Sequence, residues 1–146
     1  MSPAATCALL GLALAAAACG RRAPGTERAG GRGTADPAAD AGLLGREIFQ
    51  LVDRAADYRG AHLGHSPRSV PEMGVDSLTP LLVRRIAVVG DSPVVTVAFR
   101  RPEGRAVAAC EGGLEVLEDA ALKGGRFGIL CTTPAGATAR YEVSAP

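Results

Sequence analysis

Leu44, Ile48, Leu51, Val52 and Ala55 recur at the spacing that lines up side chains along one stripe of an α-helix. Arg59 continues the stripe, while Arg46, Glu47, Asp53, Arg54 and Asp57 lie mostly off it, and Leu43, Phe49 and Tyr58 widen it. A stripe of this kind needs a partner surface. Asp40 is expected to cap the helix at Ala41 or Gly42, with Gly60 and Gly64 as stop signals, so the helix should cover about residues 42–60.

Beyond the helix the period changes. Residues 64–76 contain two Pro and two Gly and read as a loop, with Asp76 or Ser77 capping a short turn through Leu82. The β-branched runs 86–90 and 93–99 are split by Gly90-Asp91-Ser92, a hairpin signal. A second turn at Arg101-Pro102-Glu103-Gly104 leads to a third strand, Arg105 to Cys110. Arg126 to Thr132 and Thr138 to Ser144 are two more strands, joined through Pro134-Ala135-Gly136. Leu114 to Lys123 fits a helix ended by Gly124, although Leu114-Glu115-Val116-Leu117-Glu118 alone alternates like a strand. The expectation is an α+β fold: one N-terminal amphipathic helix packed on an antiparallel sheet of about five strands.

A chain of 146 residues suffices for one such domain. Its aromatic content of 3%, without Trp, argues against stacking on nucleic-acid bases, and a net charge of +1 argues against a phosphate-backbone binder. Residues 41–146 balance 12 basic against 12 acidic side chains, so no nucleic-acid partner is expected.

The stretch before the helix behaves differently. Residues 7–18 form a run without charge, too short for a membrane span at about 1.5 Å per residue against a core of about 30 Å. It fits the apolar core of an export signal. Residues 19–40 are dominated by Gly, Ala, Pro and Arg and contain no large apolar side chain, so they read as a disordered tether. Four Arg against Glu27 give residues 21–35 a charge of +3, suited to anionic headgroups or to a solvated linker. The organisation expected is a signal peptide over 1–18, a tether over 19–40 and a single globular domain over 41–146.

The sequence Ala16-Ala17-Ala18-Cys19-Gly20 resembles the lipobox of bacterial lipoproteins. The resemblance implies cleavage before Cys19, a diacylglyceryl thioether on its sulfur, and a further acyl chain such as palmitate on its new amino group. It also implies a place in the cell envelope, facing the periplasm or the exterior. Gly20, standing where Asp would retain the protein at the inner membrane, points to the outer membrane of a two-membrane organism. Partners would then be the membrane, through the lipid, and another envelope protein, with the ligand unnamed. A plain signal peptide cut after Ala18 and a buried Ala-rich helix are the alternatives.

Few residues offer chemistry. Cys110 and Cys131 remain once Cys7 leaves with the signal and Cys19 takes lipid. They read as a disulfide closing a loop of roughly 20 residues, worth about 3 kcal/mol in the chain-entropy treatment, or as two buried thiols. His62 and His65 are the only histidines; the Cys residues are too far apart in sequence for a zinc motif, so no metal is expected. Ile86 to Ser92 is similar to the first block of the GDSL hydrolases, which implies a nucleophilic Ser92. That chemistry needs an Asn and a downstream His; the chain has no Asn and no His after His65. Glu118 and Asp119 are adjacent and read as a solvated turn. No phosphate-cradling Gly motif occurs, so neither a cofactor nor catalysis is expected.

The passage Asp57 to Gly64, continuing through Ser66 to Val75, resembles the helix-to-loop region of type IV pilins and type II secretion pseudopilins. It implies a helix laid on an antiparallel sheet and a Cys pair in the C-terminal region. The Gly-Phe cleavage site and long apolar helix of those families are not in this sequence, so the resemblance bears on shape.

Overall fold

The computed structural model describes residues 34–146. The signal peptide expected over 1–18, Cys19 and the expected tether as far as residue 33 lie outside the described residues.

Helix α1 covers Pro37–Ala61 and starts earlier than expected. Its cap is Asp36, whose carboxylate accepts from Ala38 N–H at 2.9 Å, with Pro37 in the first turn. An Asp-Pro step suits a helix start, because the carboxylate satisfies an orphan N–H and the ring fixes φ. Residues 37–40, assigned to the tether from sequence, therefore belong to the helix, and Asp40 sits inside its first turn. The expected stripe is the buried one: Leu44, Ile48, Leu51, Val52 and Ala55 are at most 2% exposed. Burial of each of the larger four is worth roughly 1.5–3 kcal/mol.

Five strands follow among the described residues, β1 Leu82–Val89, β2 Ser92–Phe99, β3 Ala109–Gly113, β4 Arg126–Thr132 and β5 Thr138–Ser144. They form one antiparallel sheet in the order β1-β2-β3-β4-β5. The fold is α+β, as the change of period in the sequence implied. Val89 pairs with Ser92, leaving Gly90 and Asp91 as a two-residue hairpin loop. Gly90 has φ +61 and Asp91 a negative φ, so the loop needs glycine at its first position, as type II′ turns do.

Two strand boundaries differ from expectation. β1 begins earlier because Leu82 is buried and its N–H is taken by Thr79 Oγ1 at 2.9 Å, in place of a capped helical turn. β3 begins later, at Ala109 instead of Arg105, because the N–H groups of Ala106 and Val107 turn away to the Asp40 carboxylate. The ambiguous segment is helix α2, Glu115–Leu122, which buries Val116 and Ala120. Gly124 and Gly125, both at positive φ, end it, with Gly125 N–H bonded to Ala120 carbonyl at 2.7 Å.

Both helices contribute to one core on one face of the sheet. Val95, Val97, Cys110, Ile129, Cys131, Phe127 and Val143 supply the strand side. At Gly112 of β3 an added Cβ would lie 2.7 Å from Val116 and 3.1 Å from Ile48, and at Gly45 of α1 it would lie 2.7 Å from Val143. These two glycines set how closely the helices approach the strands.

Candidate functional site

Two groupings of polar side chains stand at the ends of α1. At its start, Asp40 is buried, 6% exposed. Its carboxylate accepts from Arg105 Nη1 at 3.1 Å, Ala106 N–H at 2.8 Å and Val107 N–H at 3.3 Å. The Arg105 guanidinium also lies 4.2 Å from the centroid of the Phe99 ring. A buried carboxylate with three donors is satisfied, so this grouping is a clasp between α1 and the β2–β3 connection.

At the other end, α1 meets the loop after it and the β1–β2 hairpin around an open cleft of about 550 Å³. Arg59 donates to Ser66 Oγ at 2.8 Å and to the Asp91 carbonyl, and Ser66 Oγ donates to that same carbonyl at 2.8 Å. Tyr58, His65, Arg68 and Glu72 line the cleft beside Ser66 and Asp91, with Arg59 behind them. Glu72 accepts from Arg68 N–H at 3.0 Å and from Ser69 Oγ at 3.2 Å. The Arg68 N–H bond is the main reason that its carboxyl is held below the ordinary range, with Ser69 and Tyr58 adding to the effect. These donors favour the charged form of Glu72.

The helix leaves this corner through a strained step. Gly64 N–H bonds to Arg59 carbonyl at 2.8 Å, which places Leu63 at the left-handed position, φ +55, where glycine is usual. Leu63 is 95% exposed. His62 stacks on Tyr58 with centroids 3.8 Å apart, and its Nδ1 is 2.7 Å from the Tyr58 carbonyl.

Most residues singled out from sequence lie apart from one another. Cys19 is outside the described residues. Cys110 and Cys131 face each other across β3 and β4, with sulfurs 2.01 Å apart, at disulfide bonding distance. His62 and His65 sit on the exposed turn after α1, and no cluster of three or more potential metal ligands occurs among the described residues. Ser92 opens β2 at the hairpin. Glu118 and Asp119 both lie on α2; Asp119 pairs with Lys123 at 3.0 Å, which holds its carboxyl below the ordinary range. Neither polar grouping was found from sequence, although Arg59, the one charge on the apolar stripe, was a signal for the cleft. For Asp40 the misleading feature was its suitability as a cap. Comparison with protein families, curated proteins and solved structures finds no match.

Proposed function

We propose that this protein is a lipid-anchored module of a bacterial cell envelope, with a binding or structural role and no catalysis. Cys19 is the lipidated residue and Cys110–Cys131 the staple of the folded part. One observation carries the reading: the uncharged run 7–18 ends in small residues at Cys19. The Cys110–Cys131 pair suits the same compartment, because disulfides persist outside the reducing cytosol. Two or more acyl chains on Cys19 would hold the protein on a membrane without a spanning helix. The domain would face the periplasm or the exterior, at the outer membrane where there are two. The corner cleft is the place for a small polar ligand, since its fixed groups offer hydrogen bonds and charge of both signs. The test is incorporation of labelled fatty acid in a bacterial host. Wild type is expected to take up label and sediment with membranes, and Cys19→Ser to do neither. Equal labelling of the two would remove the anchor.

A second reading is favoured by one structural feature. The 25-residue α1 lies along a sheet that the chain then builds strand by strand. That arrangement suits a pilin-like or pseudopilin-like accessory subunit of a secretion or pilus system, held by lipid in place of an apolar helix. Two-hybrid pairing with pseudopilins of the same organism would support it, and lack of pairing with all of them would remove it.

A further inference from the structure

The two edges of the sheet are finished differently. The outer side of β1 is covered near its start, where Leu78 bridges Val83 and Arg84 N–H donates to Ser77 carbonyl at 2.7 Å. The opposite edge, β5, has β4 on one side and no strand on the other among the described residues. Two bonds show which way its backbone groups point. Ala145 N–H donates to Gly125 carbonyl at 2.7 Å, and Thr133 N–H to Ala137 carbonyl at 2.8 Å. Antiparallel ladders alternate, so Ala139, Tyr141 and Val143 bond toward β4. Thr138, Arg140, Glu142 and Ser144 direct their N–H and C=O groups outward. A row of outward donors and acceptors is a template for another strand.

The order Thr138-Ala139-Arg140-Tyr141-Glu142-Val143-Ser144 is complementary to itself when reversed about Tyr141. We propose that β5 is the seam of a two-fold symmetric dimer, in which β5 of a second copy pairs antiparallel about Tyr141 and continues the sheet. Arg140 then opposes the partner's Glu142, Glu142 the partner's Arg140, and Thr138 the partner's Ser144. All of these are outward-bonding residues, so about eight backbone hydrogen bonds close across the seam. The neighbouring registers that keep donors facing acceptors place the axis on Arg140 or on Glu142. Each sets identical charges directly opposite one another, which is unfavourable. Charge therefore selects one register.

Both charged side chains at the edge lie back over β4, and pairing requires each to turn outward. Arg140 forms no ion pair among the described residues. A Cβ on Gly128 would lie 3.0 Å from its Nη2, so the glycine lets the guanidinium rest on the open face of the sheet. Glu142 is reached by Arg126 of β4 yet stays 51% exposed, with room for a second cation. Edge charges ordinarily discourage pairing. Here the pattern repels other registers and attracts one. The inference does not depend on the lipid anchor.

The test is the mass of the full chain in density-matched detergent by sedimentation, with charge variants. Wild type is expected to reach a dimer. Arg140→Glu sets carboxylates against each other at both ends of the seam and should weaken self-association about tenfold or more. The exchange R140E/E142R restores opposite charges and should recover the dimer. In Tyr141→Cys the two axial cysteines stand about 4.5 Å apart at Cα and should cross-link on oxidation. A wild-type chain that stays monomeric, or a dimer indifferent to R140E, overturns the proposal. So does Tyr141→Cys that remains soluble and does not cross-link.

Discussion

The two ends of α1 are fastened by opposite means. The first turn is fixed by one buried carboxylate that gathers two backbone N–H groups and a guanidinium from the β2–β3 connection, residues far away in sequence. The last turn is fixed by Arg59 reaching outward to Ser66 and the hairpin carbonyl of Asp91, through bonds that are half-buried or exposed. A polar group that is buried and shared is costly to remove, because its partners are left unsatisfied; an exposed one is replaced by water. The start of the helix should therefore behave as part of the core and the end as a surface corner. The clasp belongs to the core, and the corner, with its cleft, is held by bonds that water can replace.

Removal of the clasp tests this most strongly. Asp40→Ala strands the N–H groups of Ala106 and Val107 and leaves Arg105 without its buried partner, so urea unfolding should show a loss of about 3 kcal/mol. Arg59→Ala should cost about 1 kcal/mol, since water can serve Ser66 and Asp91. Hydrogen exchange sharpens the contrast. The first substitution should raise exchange throughout the sheet, and the second only around Tyr58 to Ser66. Equal losses from the two would mean that the ends are not differently fastened. Leu63→Gly works in the opposite direction: it relieves a left-handed position, and a gain somewhat under 1 kcal/mol is expected in the same unfolding measurement.

Much of this architecture was legible in the sequence, for reasons that particular residues make clear. The stripe from Leu44 to Ala55 and the runs around Gly90 follow periodicity, which is local and strong. Thr138 to Ser144 could be bounded because Pro134-Ala135-Gly136 marks the turn before it. The errors lie where a tertiary contact overrode a local signal. Asp40 is as good a cap as Asp36 by residue type, and only the donors from residues 105–107, distant in sequence, reveal that it faces inward. The same contact erased residues 105–108 of the expected third strand. Leu114 to Lys123 was ambiguous because its apolar residues satisfy both periods, and burial of Val116 against Gly112 and Ile48 decides for helix. The corner cleft escaped notice because its members come from α1, the loop after it and the hairpin, with no spacing that joins them. The self-complementarity of β5 is written in the sequence, but it acquires meaning only when β5 is known to be an edge.

The smallest effect expected at the corner is a dependence on pH. The Glu72 carboxyl is held below its ordinary value of 4.5, chiefly by the Arg68 N–H. A folded-state value below the unfolded one means that the unfolded chain binds the proton more readily. The bond therefore stabilises the fold above that ordinary value, and the contribution fades as pH falls through the folded-state value. Glu72→Gln removes the titration. At neutral pH wild type should be the more stable of the two in urea, and the gap should narrow as the solution is acidified below 4.5. Asp119, held down by Lys123, titrates in both proteins and cancels in the difference. Because Glu72 is on the surface, added salt should shrink the gap as well, whereas the loss caused by Asp40→Ala should barely respond. A gap that is constant with pH would mean that the Glu72 bonds are no stronger to the anion than to an amide, and the corner would then owe its shape to Arg59 alone.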